Sequence, residues 1–200
     1  MTPTRATASG LRELTRATVR AQIAERAMEL FLAQGFEETT VEQIAAQVGM
    51  SARSVFRYFA TKEDMVVGSM QESGAVLAGA LAERPAGEGP WEALRGALDV
   101  LLTPFAKDRE AALARARMFA DTPALGAARQ QKHARWRELL EPGVLSRLPE
   151  GPADDRELRA AAITTAVLGC LDVAVTRWSG AGGTGNLGEM LDAAIRAVRE

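Results

Sequence analysis

Arg53, Arg57 and Lys62 fall within residues 51–62, a stretch without a single acid, and Arg5, Arg12, Arg16 and Arg20 face only Glu13 over residues 1–24. A guanidinium offers a planar fork of donors suited to paired acceptors, such as a base edge or a phosphate. The formal net charge of the chain is only −2, so attraction to a polyanion has to come from a local basic surface of this kind. Glu37, Glu38 and Glu42 lie between the two basic groups and keep that charge focused. Other chemistry is poorly supplied. His133 is the only histidine and Cys170 the only cysteine, and neither sits in a metal-ligand or nucleophile motif. The run Lys132-His133-Ala134-Arg135 reads as surface, and the glycines after Ser179 contain no Lys for a phosphate loop. No catalytic residue, metal site or cofactor is therefore expected, and an enzyme is the least favoured class.

The elements that must position the arginines are helical. Residues 1–14 lack apolar periodicity and are expected to form a flexible basic arm. Ile23, Ala27, Leu30 and Phe31 then repeat at helical spacing up to Gly35, which places a helix end at about Gln34. Thr40, with Gln43 three residues on, has the pattern of a capping box, ahead of an apolar face of Val41, Ile44, Ala45 and Val48. Gly49 permits a tight turn, and Ser51 caps a further helix whose inward residues are Val55 and Phe59. Positions 52, 53, 56 and 57 lie opposite that pair, so Arg53 and Arg57 point outward.

Behind this unit, Thr61 and Asp64 open a helix reaching about Glu83, and Pro85 to Pro90 break the chain. Helices are expected over 91–106, 109–120 and 123–140, with Pro142, Pro149, Gly151 and Pro152 bounding an indistinct segment. Asp154 or Asp155 opens a long helix to Trp178, and Ser179 to Gly185 form a loop. Thr164, Thr165 and Asp172 interrupt the apolar run 160–175, which reads as a helix buried against protein and not as a membrane span. Leu187, Met190, Leu191, Ala194, Ile195 and Val198 form one stripe on a last helix. The fold class is all-α. The expected division is an arm at 1–14, a helix-turn-helix domain at 15–66 and a helical domain at 67–200.

The stretch from Thr39 to Met65 closely resembles the DNA-binding signature of the TetR family of regulators. It combines the capping Thr40, Ile44-Ala45, the turn Gly49, the capping Ser51, the aromatic run Phe56, Tyr58 and Phe59, and Lys62-Glu63. The resemblance implies about nine helices, a homodimer on a palindromic double-stranded operator, and control by a small molecule held in the C-terminal domain. The course Arg115 to Pro123, Trp136, and the apolar helix ending in Arg177-Trp178 is similar to the mycofactocin-regulator group, which implies an acyl-CoA-like ligand.

On that resemblance, Arg53 near the start of the third helix is expected to contact a base, bidentate to guanine, and Arg57 a base or a phosphate. Taken alone, both could be solvated surface charges. Thr40 and Lys62 match family positions that contact phosphate; Thr40 could instead only cap. Phe56 stands where the family usually has Tyr, so a phenolic hydrogen bond is missing there. Tyr58 either supplies a backbone contact or packs beside Phe59, and Ser54 is open between cap and contact.

In the rear domain Phe105, Met118, Phe119, Trp136 and Trp178 are candidate ligand walls, with Arg117 or Arg177 as anion partners. Apolar residues at this spacing are more often plain core. The last two helices are expected to pair across a two-fold axis as a four-helix bundle, unless the long one is only the core of one subunit. One cysteine and a polar, Arg-rich start suggest a cytoplasmic protein. The expected function is a ligand-released repressor; the alternative is a helical small-molecule-binding protein or scaffold without specific DNA binding.

Overall fold

The computed structural model describes residues 5–199, with side chains from residue 10 onward apart from 11, 67 and 69–72. Ten α-helices and no strand are found among these residues. They divide into two compact units, residues 1–70 and 71–200, of which 1–4 and 200 lie outside the described residues.

The first unit is built from α1 (Arg5–Gln34), α2 (Val41–Gln47), α3 (Ala52–Val55) and the opening turns of α4 (Lys62–Ala82). Helix α1 begins inside the stretch expected to be an irregular arm. Residues 12–18 are all exposed, which explains the difference: apolar periodicity reports a buried face, whereas Ala, Arg, Leu and Glu favour helix without one. Gly35 ends α1 at φ +97°, a conformation that favours glycine. Ile23, Ala27, Phe31, Ile44, Ala45, Val55, Phe59 and Met65 make the buried centre of this unit. Gly68 of α4 allows the Phe59 ring to lie against the helix, since a Cβ there would come 2.6 Å from Phe59 Cε1.

The second unit holds the rest of α4 and α5 (Pro90–Ala97), α6 (Asp99–Lys107), α7 (Arg109–Asp121), α8 (Leu125–Leu145), α9 (Ala153–Gly180) and α10 (Leu187–Arg199). The single helix expected over 91–106 is two, and this raises the count from nine to ten. At the joint the Leu98 amide is shared between the carbonyls of Leu94 and Arg95, and Leu101 donates to Leu98, a tightened turn that redirects the chain. Pro142 does not end α8 as expected. It lies inside the helix, which closes at Leu145. Helix α9 starts at Ala153 with no side-chain cap, so Asp154 and Asp155 act from its first turn, where a negative charge suits the helix dipole.

By length and composition α9 could cross a membrane, with a window of mean hydropathy 1.7, so the polar residues within it do not interrupt it as expected. Its packing gives it another role: it lies between α8 and α10, burying Val167, Leu168, Leu171 and Ala174 in the core of the second unit. Arg95 joins α5 to α10 through Asp192 while also pairing with Asp99 at 2.6 Å.

Candidate nucleic-acid interface and effector site

In the first unit, local hydrogen bonds fix the reader before any long-range packing does. Thr40 Oγ1 accepts from the Gln43 amide at 3.2 Å and Gln43 Oε1 accepts from the Thr40 amide at 2.8 Å, so the capping box is complete. Such a cap stabilises a helix by about 1 kcal/mol. Thr40 is exposed, and its hydroxyl retains a hydrogen to donate. Gly49 makes the turn at φ +66°. Ser51 then caps α3 by accepting from the Ser54 amide at 3.2 Å, and the two hydroxyls lie 2.9 Å apart, which draws Ser54 into the cap.

Helix α3 is only four residues long, but i to i+3 and i to i+4 bonds carry the turn on to Phe59. Val55 and Phe59 point inward at 0% and 1% exposure, and Arg53, Phe56 and Arg57 are exposed, Phe56 at 50%. A phenyl ring half left in water forgoes part of its burial free energy, and Phe56 stands on the same outer face as Arg53 and Arg57. Tyr58 is half-buried.

Lys62, expected to contact phosphate, is held by backbone carbonyls of its own unit. Its ammonium donates to the carbonyls of Phe36, Thr39 and Glu37 at 2.9, 3.1 and 3.4 Å and lies 4.6 Å from the Phe36 ring centroid. It thus ties the start of α4 to the turn before α2, and a phosphate contact would have to displace one of those carbonyls.

Further basic residues of α1 border the reader. Arg12, Thr15 and Arg16 of α1 line a groove of about 580 Å³ together with Arg57 and Tyr58, with no carboxylate among its described lining residues. Arg20, one turn further along α1, donates to the Tyr58 carbonyl and stacks on Phe59 at 4.0 Å. Burial lowers the Arg20 pKa, with Asp64 opposing and Arg16 adding to the shift. The signal was available: Arg12, Arg16 and Arg20 recur every fourth residue, one face of a helix.

In the second unit the candidate ligand residues do not gather in one place. Phe105 and Trp178 meet edge to face at 5.3 Å and border a groove of about 640 Å³ with Arg109 and Asn186. Arg117, Met118 and Phe119 do not line it, and Arg117 and Arg177 are exposed. Trp136 is 5% exposed and stands elsewhere, against Gly74 of α4, where a Cβ would come 2.7 Å from its Cδ1.

Around Trp136 lies a polar cluster that no sequence motif announces. The Lys132 ammonium sits 4.7 Å from the Trp136 ring centroid. His133 is half-buried, not on the surface as expected, and its Nε2 is 3.4 Å from Asp172 Oδ1 without hydrogen-bond geometry. Neither His133 Nε2 nor Trp136 Nε1 has a hydrogen-bond partner, though both are buried. Burial pushes the Lys132 pKa down, and burial followed by the Lys132 charge pushes down that of His133.

A capped helix, a glycine turn and a second capped helix with outward arginines define a helix-turn-helix reader, here followed by a separate helical unit. Residues 23–67 match the family model described as bacterial regulatory proteins, tetR family, and residues 88–200 match that of the MftR C-terminal domain. The chain is 33% identical over 132 residues to MftR of Mycobacterium tuberculosis, named for regulation of mycofactocin biosynthesis, covering 66% of this chain and 67% of that one. It is 44% identical over 93 residues to the HTH-type transcriptional regulator TcmR of Streptomyces glaucescens, 46% of this chain and 41% of that relative, less than half its length. A crystal structure of Thermus thermophilus FadR, a TetR-family repressor in complex with lauroyl-CoA, is similar with a TM-score of 0.62 at 25% identity, over 90% of this chain and 93% of that one. The chain belongs to the TetR family of transcriptional regulators, with a C-terminal domain of the MftR type.

Proposed function

We propose that this chain is a homodimeric repressor that reads a palindromic operator with residues 15–66 and is released by a small hydrophobic or acyl-CoA-like effector bound within residues 67–200. It would act in the cytoplasm, where its DNA target lies. The observation that carries the DNA reading is the outward set Arg53, Phe56 and Arg57 on a segment anchored by buried Val55 and Phe59. Arg53 is the base reader, bidentate to guanine, and Arg57 lies at the edge of the basic groove with Arg12 and Arg16, where a backbone phosphate fits. Thr40 adds a phosphate contact through its free hydroxyl hydrogen.

The dimer reading rests on one face of α9. Leu158, Ala162, Thr165, Gly169, Val173 and Thr176 are all exposed and spaced to lie along one side, with Leu158 at 71% and Val173 at 54%. Small residues between apolar ones allow the same helix of a second copy to approach closely. The effector reading is supported by the likeness to MftR and to the lauroyl-CoA-bound FadR, and by the groove and polar cluster of the second unit.

The test is genomic selection of fragments bound by the purified full chain at fixed, near-physiological salt. Enrichment of a short palindrome is expected. Recovery of fragments with no shared sequence would overturn the reader and leave a helical ligand-binding protein.

A further inference from the structure

Between α8, α9 and the Gly74 turn of α4, the second unit buries polar groups that its own fold leaves unanswered. The indole Nε1 of Trp136 can only donate, and a buried donor without an acceptor costs about 1–3 kcal/mol. Native proteins leave few such groups, and those they leave call for an occupant such as a ligand or a water. His133 Nε2 is buried and unanswered beside it, and Lys132 places its ammonium over the same indole ring. Three groups from one turn of α8 therefore converge: a donor, a cation and an imidazole.

The charge facing this point is unbalanced. Lys132, Arg129 and Arg137 of α8 are the cations that act on His133, and Asp172 of α9 is the carboxylate that opposes them. Desolvation holds the Lys132 charge at a disadvantage that Asp172 only partly offsets, with Arg129 adding to it. Trp136 belongs to the same buried apolar cluster as Leu140, Leu168 and Leu171, and Leu139 Cδ1 lies next to Gly74.

We infer that Trp136, Lys132 and His133 receive the carboxylate of an apolar small molecule, whose hydrocarbon part lies among the leucines of α8 and α9. The inference rests on the effector reading of this unit and narrows it to a free acid, since an acyl-CoA carries a thioester in place of the carboxylate. An anion supplies the acceptor that Trp136 Nε1 lacks and adds to the counter-charge that Asp172 supplies to Lys132. Among the described residues an amine would meet cations and donors except at Asp172, and an alcohol would satisfy one donor and leave the charge. Gly74 is part of the site because any side chain there would push the indole out of place.

Decanoate, decanol and decylamine, identical in chain length, separate these cases when titrated into the full chain without DNA and followed by calorimetry and tryptophan emission. Decanoate is expected to bind at least tenfold more tightly than decanol, and decylamine not to bind. Lys132→Met should reduce decanoate to the level of decanol, Lys132→Arg should restore much of the preference, and neither should lower the melting temperature greatly, since desolvation offsets what the Lys132 charge contributes to the free chain. Equal binding of acid and alcohol, a preference unchanged in Lys132→Met, or no binding of any of the three would overturn the inference. Because DNA is absent, a chain that prefers decanoate but selects no operator would refute the repressor reading and leave this one standing.

Discussion

The guanidinium of Arg20 lies 4.0 Å from the centroid of the Phe59 ring, so that the third turn of arginines on α1 grips the end of the reading segment. The same group donates to the Tyr58 carbonyl, and the two contacts fix where Arg57 and Tyr58 emerge. Cation–π stacking and a charged hydrogen bond of this kind together contribute about 1–3 kcal/mol. Arg20→Gln is expected to lose about that much stability in urea denaturation. Operator affinity should fall with little change in sequence preference, because Arg20 positions the reader and does not touch bases.

The α1 arginines and Arg53 should be separable by salt. Each phosphate contact contributes about 0.9 to the slope of log affinity against log salt concentration. The double variant Arg12→Gln, Arg16→Gln is expected to flatten that slope by about 2 and to weaken operator and random DNA alike. Arg53→Ala should instead cost about 1–3 kcal/mol on the operator alone and relax discrimination at one base position. A double variant with an unaltered slope would remove the basic groove from the interface.

Much of the reader was legible because its signals are local. Thr40 with Gln43, Gly49 and Ser51 act through their own backbone neighbours, so spacing alone foretells their geometry. The start of α1 was not legible, since an exposed helix lacks the apolar period by which helices are found. Lys62 was misjudged because its partners, the carbonyls of Phe36 and Thr39, are more than twenty residues away in sequence and carry no residue-type signal. The same holds in the second unit: that Trp136 faces Gly74 and that His133 faces Asp172 are consequences of packing α8 against α4 and α9, and Arg117 was chosen by charge when the fold points it to water.

The exposed face of α9 gives the dimer a direct test. Val173→Glu places a charge in the middle of that face, where burial against a second copy would leave it unpaired. Sedimentation is expected to report a monomer for this variant and a dimer for the unaltered chain, with helix content unchanged by circular dichroism. Operator affinity should fall far more than affinity for a half-site. A Val173→Glu dimer as tight as the original would move the interface elsewhere.

His133 makes stability depend on pH in a direction that its surroundings fix. Burial and the Lys132 charge lower its pKa, and Arg129 and Arg137 add to the shift, while Asp172 opposes it. Below the ordinary histidine value of about 6.5 the unfolded chain therefore binds a proton that the folded chain resists. The contribution of neutral His133 is fully present above that value and is lost as pH falls toward the depressed folded value. His133→Gln removes the titration but keeps a polar side chain. Melting temperatures measured from about pH 7.5 down to about pH 5.5 should fall more steeply for the unaltered chain than for the variant. A steeper fall in the variant would mean that the Asp172 carboxylate outweighs burial and that His133 is charged in the folded chain, forming with it an ion pair that strengthens as pH falls.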